Sequence, residues 1–161
     1  MARRRLCVAL LTCLIAVCRR ADGPGVKLGS IDAARLAIVQ EALSRVSGKP
    51  TCLFVDPAVT HLPAKPAAST EESWKESDPS PELMTLVGTK HIRPGSQCPP
   101  LAGDDDPLYR VRVGPLLVHK SGRVEAKMSH AISGYPTMES CVAEINDKEI
   151  WVVTCRVLWQ A

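Results

Sequence analysis

No stretch of this chain spells out a catalytic motif. A G-x-S-x-G nucleophile elbow, a phosphate-cradling glycine loop and an H-E-x-x-H helix are all absent, so no hydrolase, nucleotide or metalloprotease chemistry is signalled by motif. Cys-x-x-Cys and His-x-x-x-His spacings are absent too, which favours disulfides over metal binding for the cysteines. The apolar run Leu6–Cys18 is thirteen residues, short of the roughly 20 that a membrane helix needs. Real basic excess is also lacking. The formal charge is +3, but residues 1–18 contain three arginines and no acid. A chain starting at Arg19 is near neutral, and losing Arg19 and Arg20 as well makes it −2. That excludes the electrostatic attraction on which nucleic-acid binding relies.

What is present at the N-terminus reads as a secretory signal. Arg3-Arg4-Arg5 form a positive n-region, Leu6–Cys18 an h-region, and Ala16 and Cys18 the small residues before a cut between 18 and 21. The alternative is a lipid anchor through Cys18, against which Val17 stands where a small residue belongs. The expected product is secreted or periplasmic, without a membrane span. Its roughly 140 residues suffice for a single domain over 22–161. Four cysteines survive, Cys52, Cys98, Cys141 and Cys155, an even number that reads as a disulfide framework.

The stretch Tyr109–Trp159 specifies a sheet. Leu116–His119 and Arg123–Met128 form a hairpin if Lys120-Ser121-Gly122 is the loop, with Gly122 in the left-handed conformation. Val118 then faces Val124 and Leu116 faces Ala126, whereas a two-residue loop would oppose Val118 to Glu125. A second hairpin closes over Asp147-Lys148-Glu149. That register pairs Ile145 with Trp151, Ala143 with Val153, and Cys141 with Cys155, close enough for a cross-strand bridge. Cys52–Cys98 follows by remainder. On the loop-entropy argument the longer bridge contributes about 4 kcal/mol and the shorter about 3.

Upstream, Ser30–Ser47 reads as a helix: Ser30 caps it, Asp32 sits in its first turn, and Gly48 follows as the stop. Ile31, Leu36, Ile38, Val39, Ala42, Leu43 and Val46 make its apolar stripe. Arg35 interrupts that stripe, one turn after Asp32. It either snorkels past the sheet edge or serves a polar pocket between helix and sheet. Thr51–Asp56 reads as a short strand ended by Pro57, and 57–81 as a mobile loop. Trp74, alone in that loop, is a candidate partner contact. Met84–His91 reads as a strand, Tyr109–Val113 as a half-buried strand, and Asp104-Asp105-Asp106 as a solvated acidic turn rather than a calcium loop. His130 continues the Val124, Ala126, Met128 face toward the core, where it is either a general base or a histidine satisfied at the core edge.

One helix followed by a meander implies an α+β domain, with the helix laid on a curved antiparallel sheet of about four to six strands. From Ser30 to Trp159 the order of elements, closed by the strand Ile150-Trp151-Val152-Val153 … Leu158-Trp159, resembles the cystatin and nuclear transport factor 2-like superfolds. The cystatin Q-x-V-x-G loop is absent. The resemblance implies a fold and selects no function. The leading reading is a noncatalytic exported binding module for an unknown protein or small ligand, requiring no cofactor or metal. One alternative is a small enzyme with Arg35, Asp32 and His130 in a helix–sheet pocket. The other is an inhibitor of a secreted hydrolase.

Overall fold

The computed structural model describes residues 30–46, 48–62, 74–88, 90–100, 108–132 and 135–160. The signal-like segment 1–18, Cys18 and Asp104–Asp106 lie outside them. The described residues form an α+β domain of two helices and an eight-stranded mixed sheet, with two disulfides.

Helix α1 spans Ile31–Ser44, with the Ser30 hydroxyl accepting the Ala33 N–H at 3.1 Å. It stops three residues short of the expected end because Arg45 already bonds back to Ala42, tightening the last turn before the left-handed Gly48. Leu36, Ile38, Val39, Ala42 and Val46 are buried as the stripe requires, joined by Ala33 and Ala34. They pack on Leu53, Val111, Leu116, Val124, Ala126 and Met128 of the sheet.

The expectation of a single helix is corrected. Where Met84–His91 read as a strand, α2 spans Pro81–Val87. Ser80 caps it by accepting the Leu83 N–H, Pro81 stands at its start, and Gly88 at φ +79° ends it. Leu83, Met84, Leu86 and Val87 fall on one helical face, so the apolar run belongs to helical spacing.

The strands are β1 (Thr51–Val55), β2 (Val59–His61), β3 (Ile92–Pro94), β4 (Tyr109–Val113), β5 (Leu116–Val118), β6 (Val124–Ile132), β7 (Tyr135–Ile145) and β8 (Trp151–Gln160). The sheet is not purely antiparallel: β1 runs parallel to both β3 and β4, and β2 runs parallel to β5. The chain reaches β3 only after the long excursion through α2, the kind of connection parallel pairing needs. The strand count is corrected upward as well. Pro57 separates β1 from β2, and Gly114-Pro115 separates β4 from β5. The backbone bonds Asp56 N–H to Val113 O and Leu116 N–H to Ala58 O carry the pairing across both breaks.

Both hairpins take the expected registers. Val118 opposes Val124, His119 N–H bonds Arg123 O, and Gly122 has φ +84°. Ile145 opposes Trp151, Ala143 opposes Val153, and Cys141 opposes Cys155. The bridges are Cys141–Cys155, with Cα atoms 4.1 Å apart, and Cys52–Cys98, at 6.1 Å.

The far face of β1 and β4 is covered by 74–80 and by the 3₁₀ turn Gly95–Gln97. Of the expected loop 57–81, residues 63–73 lie outside the described ones, and the remainder is tied down. Asp56 accepts N–H groups from Ala58 and Lys75, Val55 N–H bonds Ser77 O, and Glu76 pairs with Arg112 at 2.7 Å. Trp74 lies over Gly114, where a Cβ would come 3.1 Å from its ring. Gly95 is required because a Cβ there would overlap the Phe54 ring. Trp74 thus packs on Gly114 while remaining partly exposed. Among the described residues no helix is long and apolar enough to cross a membrane.

Candidate functional site

Arg35 and His130 are not brought together. The half-buried Arg35 sends Nη2 to the Pro57 carbonyl at 2.9 Å, while Nη1 stands 3.8 Å from Asp32, whose side chain is 80% exposed. The side chain is 15% exposed: its stem and Nε are buried, Nε without a hydrogen-bond partner among the described residues, and the terminal nitrogens reach the sheet margin.

His130 sits at the other end of α1, on the core-facing side of β6 as the alternation requires. Its surroundings contain two residues the sequence reading missed, Glu139 and Arg45. Glu139, on β7, is buried with its side chain 6% exposed, and Arg45 grips both its oxygens at 3.4 and 3.3 Å. Arg45 also pairs with Glu41 at 2.9 Å. His130 Nδ1 lies 3.7 Å from Glu139 Oε1, too far for a hydrogen bond. Burial pushes the His130 pKa below its ordinary value; Glu139 pulls it up, and Arg45 adds to the lowering. Burial also lowers Arg45, but its bonds and attraction to Glu139 and Glu41 outweigh that and hold it above the usual arginine value.

In this cluster Arg45 compensates the charge of the buried Glu139. The carboxylate that would orient His130 is engaged by Arg45, and all four described cysteines are bridged, so none of these four offers a thiol nucleophile. Glu139 lies with the sulfurs of Cys141 and Cys155 within 4.8 Å, but two sulfurs bonded to each other offer no thiolate to a metal. The signal for Glu139 was in reach of the sequence. It stands two residues before Cys141, on the same face of β7.

Between α1 and the sheet lie the buried side chains of Leu36, Ile38, Val39, Val111 and Met128. A cleft of about 440 Å³ opens instead between the end of α1, α2 and β3, lined by Leu43, Val46, Leu86, Val87, Ile92 and His91. None of Asp32, Arg35 and His130 lines it.

The most exposed apolar surface lies on β8. Val152, Val157, Leu158 and Trp159 are between 41% and 59% exposed. β8 is ten residues long and, among the described residues, pairs only with β7, so it forms one edge of the sheet they make. Asn146 N–H bonds Ile150 O, which makes 146–150 a hydrogen-bonded pair. Such pairs alternate along an antiparallel ladder. Residues 152, 154 and 156 therefore bond to β7, while the N–H and C=O groups of Trp151, Val153, Cys155 and Val157 point to the open edge. Between Met138 and Glu139 the register shifts by one, leaving Leu158 as the extra residue on β8. Comparison with known proteins yields no match to a family model, a curated protein or a solved structure.

Proposed function

We propose that this chain is an exported, disulfide-held binding module without catalysis, whose contact surface is the β7–β8 end of the sheet. The observation that carries this reading is the exposure of Val152, Val157, Leu158 and Trp159 on one long edge strand, since several large apolar side chains left in solvent along a single element mark an interaction site. Two disulfides fit an oxidising compartment and hold the surface in shape before any partner arrives. The enzyme reading requires an open pocket containing Arg35 and His130. Instead Leu36, Ile38, Val39 and Met128 lie buried between helix and sheet, and the two polar residues face different partners.

A random-peptide display library panned on the oxidised full chain tests this. Enriched peptides should lose about tenfold or more in affinity for the double variant Val152→Glu/Leu158→Glu, and keep it for Lys90→Glu at the distant cleft. A library that enriches nothing, or peptides that bind all three proteins alike, would overturn the proposal.

A further inference from the structure

We infer that the partner is held by strand addition: an extended segment of another protein pairs with Trp151–Val157 of β8 and presents an acidic side chain to Arg156. This rests on the binding-module reading and specifies how that surface is used.

The argument starts from the main chain. Trp151, Val153, Cys155 and Val157 direct their N–H and C=O groups outward along a regular stretch of strand, which spans roughly 23 Å at the usual rise. The stretch ends where Leu158 bulges. Backbone groups in such a row are the template that β-augmentation uses, with affinity from main-chain bonds and specificity from alternate side chains.

Proteins ordinarily blunt an exposed edge with short strands, proline, lysine or inward charge. The far margins of this sheet follow that practice: β3 is three residues long and ends in Pro94, and β2 is three residues long. Over Trp151–Val157, β8 has no proline, no lysine and no bulge. The Cys141–Cys155 bridge clamps this open strand to β7, so it keeps its shape while unoccupied.

The side chains then narrow the partner. Val152, Thr154 and Arg156 form one row on the outer face, with Leu158 and Trp159 beyond them. That row asks for a segment with apolar residues at alternate positions and an acid beside Arg156, which has no ion pair among the described residues. A second copy answers this poorly. Trp151–Gln160 contains no Asp or Glu, so self-pairing through this strand offers Arg156 no acid.

The test uses the oxidised, isotopically labelled full chain and a synthetic peptide alternating valine and threonine around one glutamate. Without peptide, the amides of Val153, Cys155 and Val157 should exchange quickly with solvent and those of Thr154 and Arg156 slowly. On binding, the fast set should slow. Methylating the peptide on one alternate row of its amides should weaken binding by about tenfold or more, while methylating the other row changes little. Val153→Pro removes an N–H that β7 does not use, so it should abolish peptide binding while Thr154 stays protected. Arg156→Glu should reverse the preference from the glutamate peptide to its lysine counterpart.

Equal tolerance of both methylated rows would overturn strand addition and leave the binding module standing. So would failure of the alternating peptide, if library-derived binders then ignore Val153→Pro. A library that also enriches nothing would take down both. Concentration-dependent slowing at Val153 and Cys155 without peptide would make a second copy the occupant, and would overturn the assignment to another protein.

Discussion

Helix α1 carries an arginine near each end, and the two stand in opposite settings. Arg35 reaches an open carbonyl at Pro57 and an acid that is 80% exposed, while Arg45 holds an acid that is 6% exposed. In water an ion pair is worth little, because solvent screens it and holding two long side chains costs entropy. A buried carboxylate is different, since without its partner it must stay charged in a poor environment or take up a proton. The arginine that interrupts the apolar stripe is thus the less consequential one. The arginine at the helix end is tied to the core through Glu139.

The largest effect should come from breaking the Arg45 end. Arg45→Met keeps the stem and strips Glu139 of its bidentate partner. A fully buried pair broken from one side costs about 3–5 kcal/mol. Arg45 is itself 35% exposed, so solvent screening reduces the expectation to about 2–3 kcal/mol. The double variant Arg45→Met/Glu139→Gln should recover most of it, because no charge is then stranded. Urea melts of the oxidised proteins at neutral pH measure both. A single-variant loss under about 0.5 kcal/mol would place this pair in the same class as a surface one.

The same contrast shows what local sequence reports. The two hairpin registers were legible because they are settled by neighbours: one loop length sets every inward residue of Leu116–Met128 and Ala143–Val153 against an apolar partner. The Cys141–Cys155 bridge follows from that arithmetic, and Cys52–Cys98 from the remainder. Ser30 and the stripe located α1 because caps and periodicity are also local. The parallel pairing of β1 with β3 and β4 had no such signal, since the crossover through α2 decides it over dozens of residues. Glu139 went unread although its face was fixed by Cys141. Its partner lies 94 residues away, and only the packing of α1 on β7 supplies it.

A second expectation concerns pH and probes the Arg45 end alone. His130 shares its surroundings with Arg45 and Glu41 from α1 and with Glu139 from β7, while its neighbour on β4 is Val111. Its pKa is lowered on folding, chiefly by burial. The unfolded chain therefore takes up the proton first. Stability from this group is complete above the unfolded value of 6.5 and declines as pH falls from there toward the folded one. The slope contributed by one such group cannot exceed about 1.4 kcal/mol per pH unit. Urea melts at several pH values between about 7 and 5 should show a shallower decline for His130→Gln than for the parent protein. Identical declines would mean that His130 titrates alike in both states.

The smallest effect belongs to Arg35. Arg35→Met preserves the methylene packing against α1's neighbours and removes one hydrogen bond to Pro57 O and a loose contact with Asp32. The Pro57 carbonyl sits in an exposed segment, so water can replace the lost donor. Asp32 is left in solvent, where its charge needs no partner, and it still complements the positive end of the helix. The expected change is about 0.5 kcal/mol in either direction. Adding Asp32→Asn should cost about another half kcal/mol through the weakened helix-end interaction, with little coupling between the two sites. A double-mutant cycle at Arg35/Asp32, run beside that at Arg45/Glu139, measures the two couplings under one set of conditions. Equal coupling at both ends would show that burial of the acid does not set the strength of these pairs. A single-variant loss of several kcal/mol at Arg35 would revive a polar site beneath the start of α1.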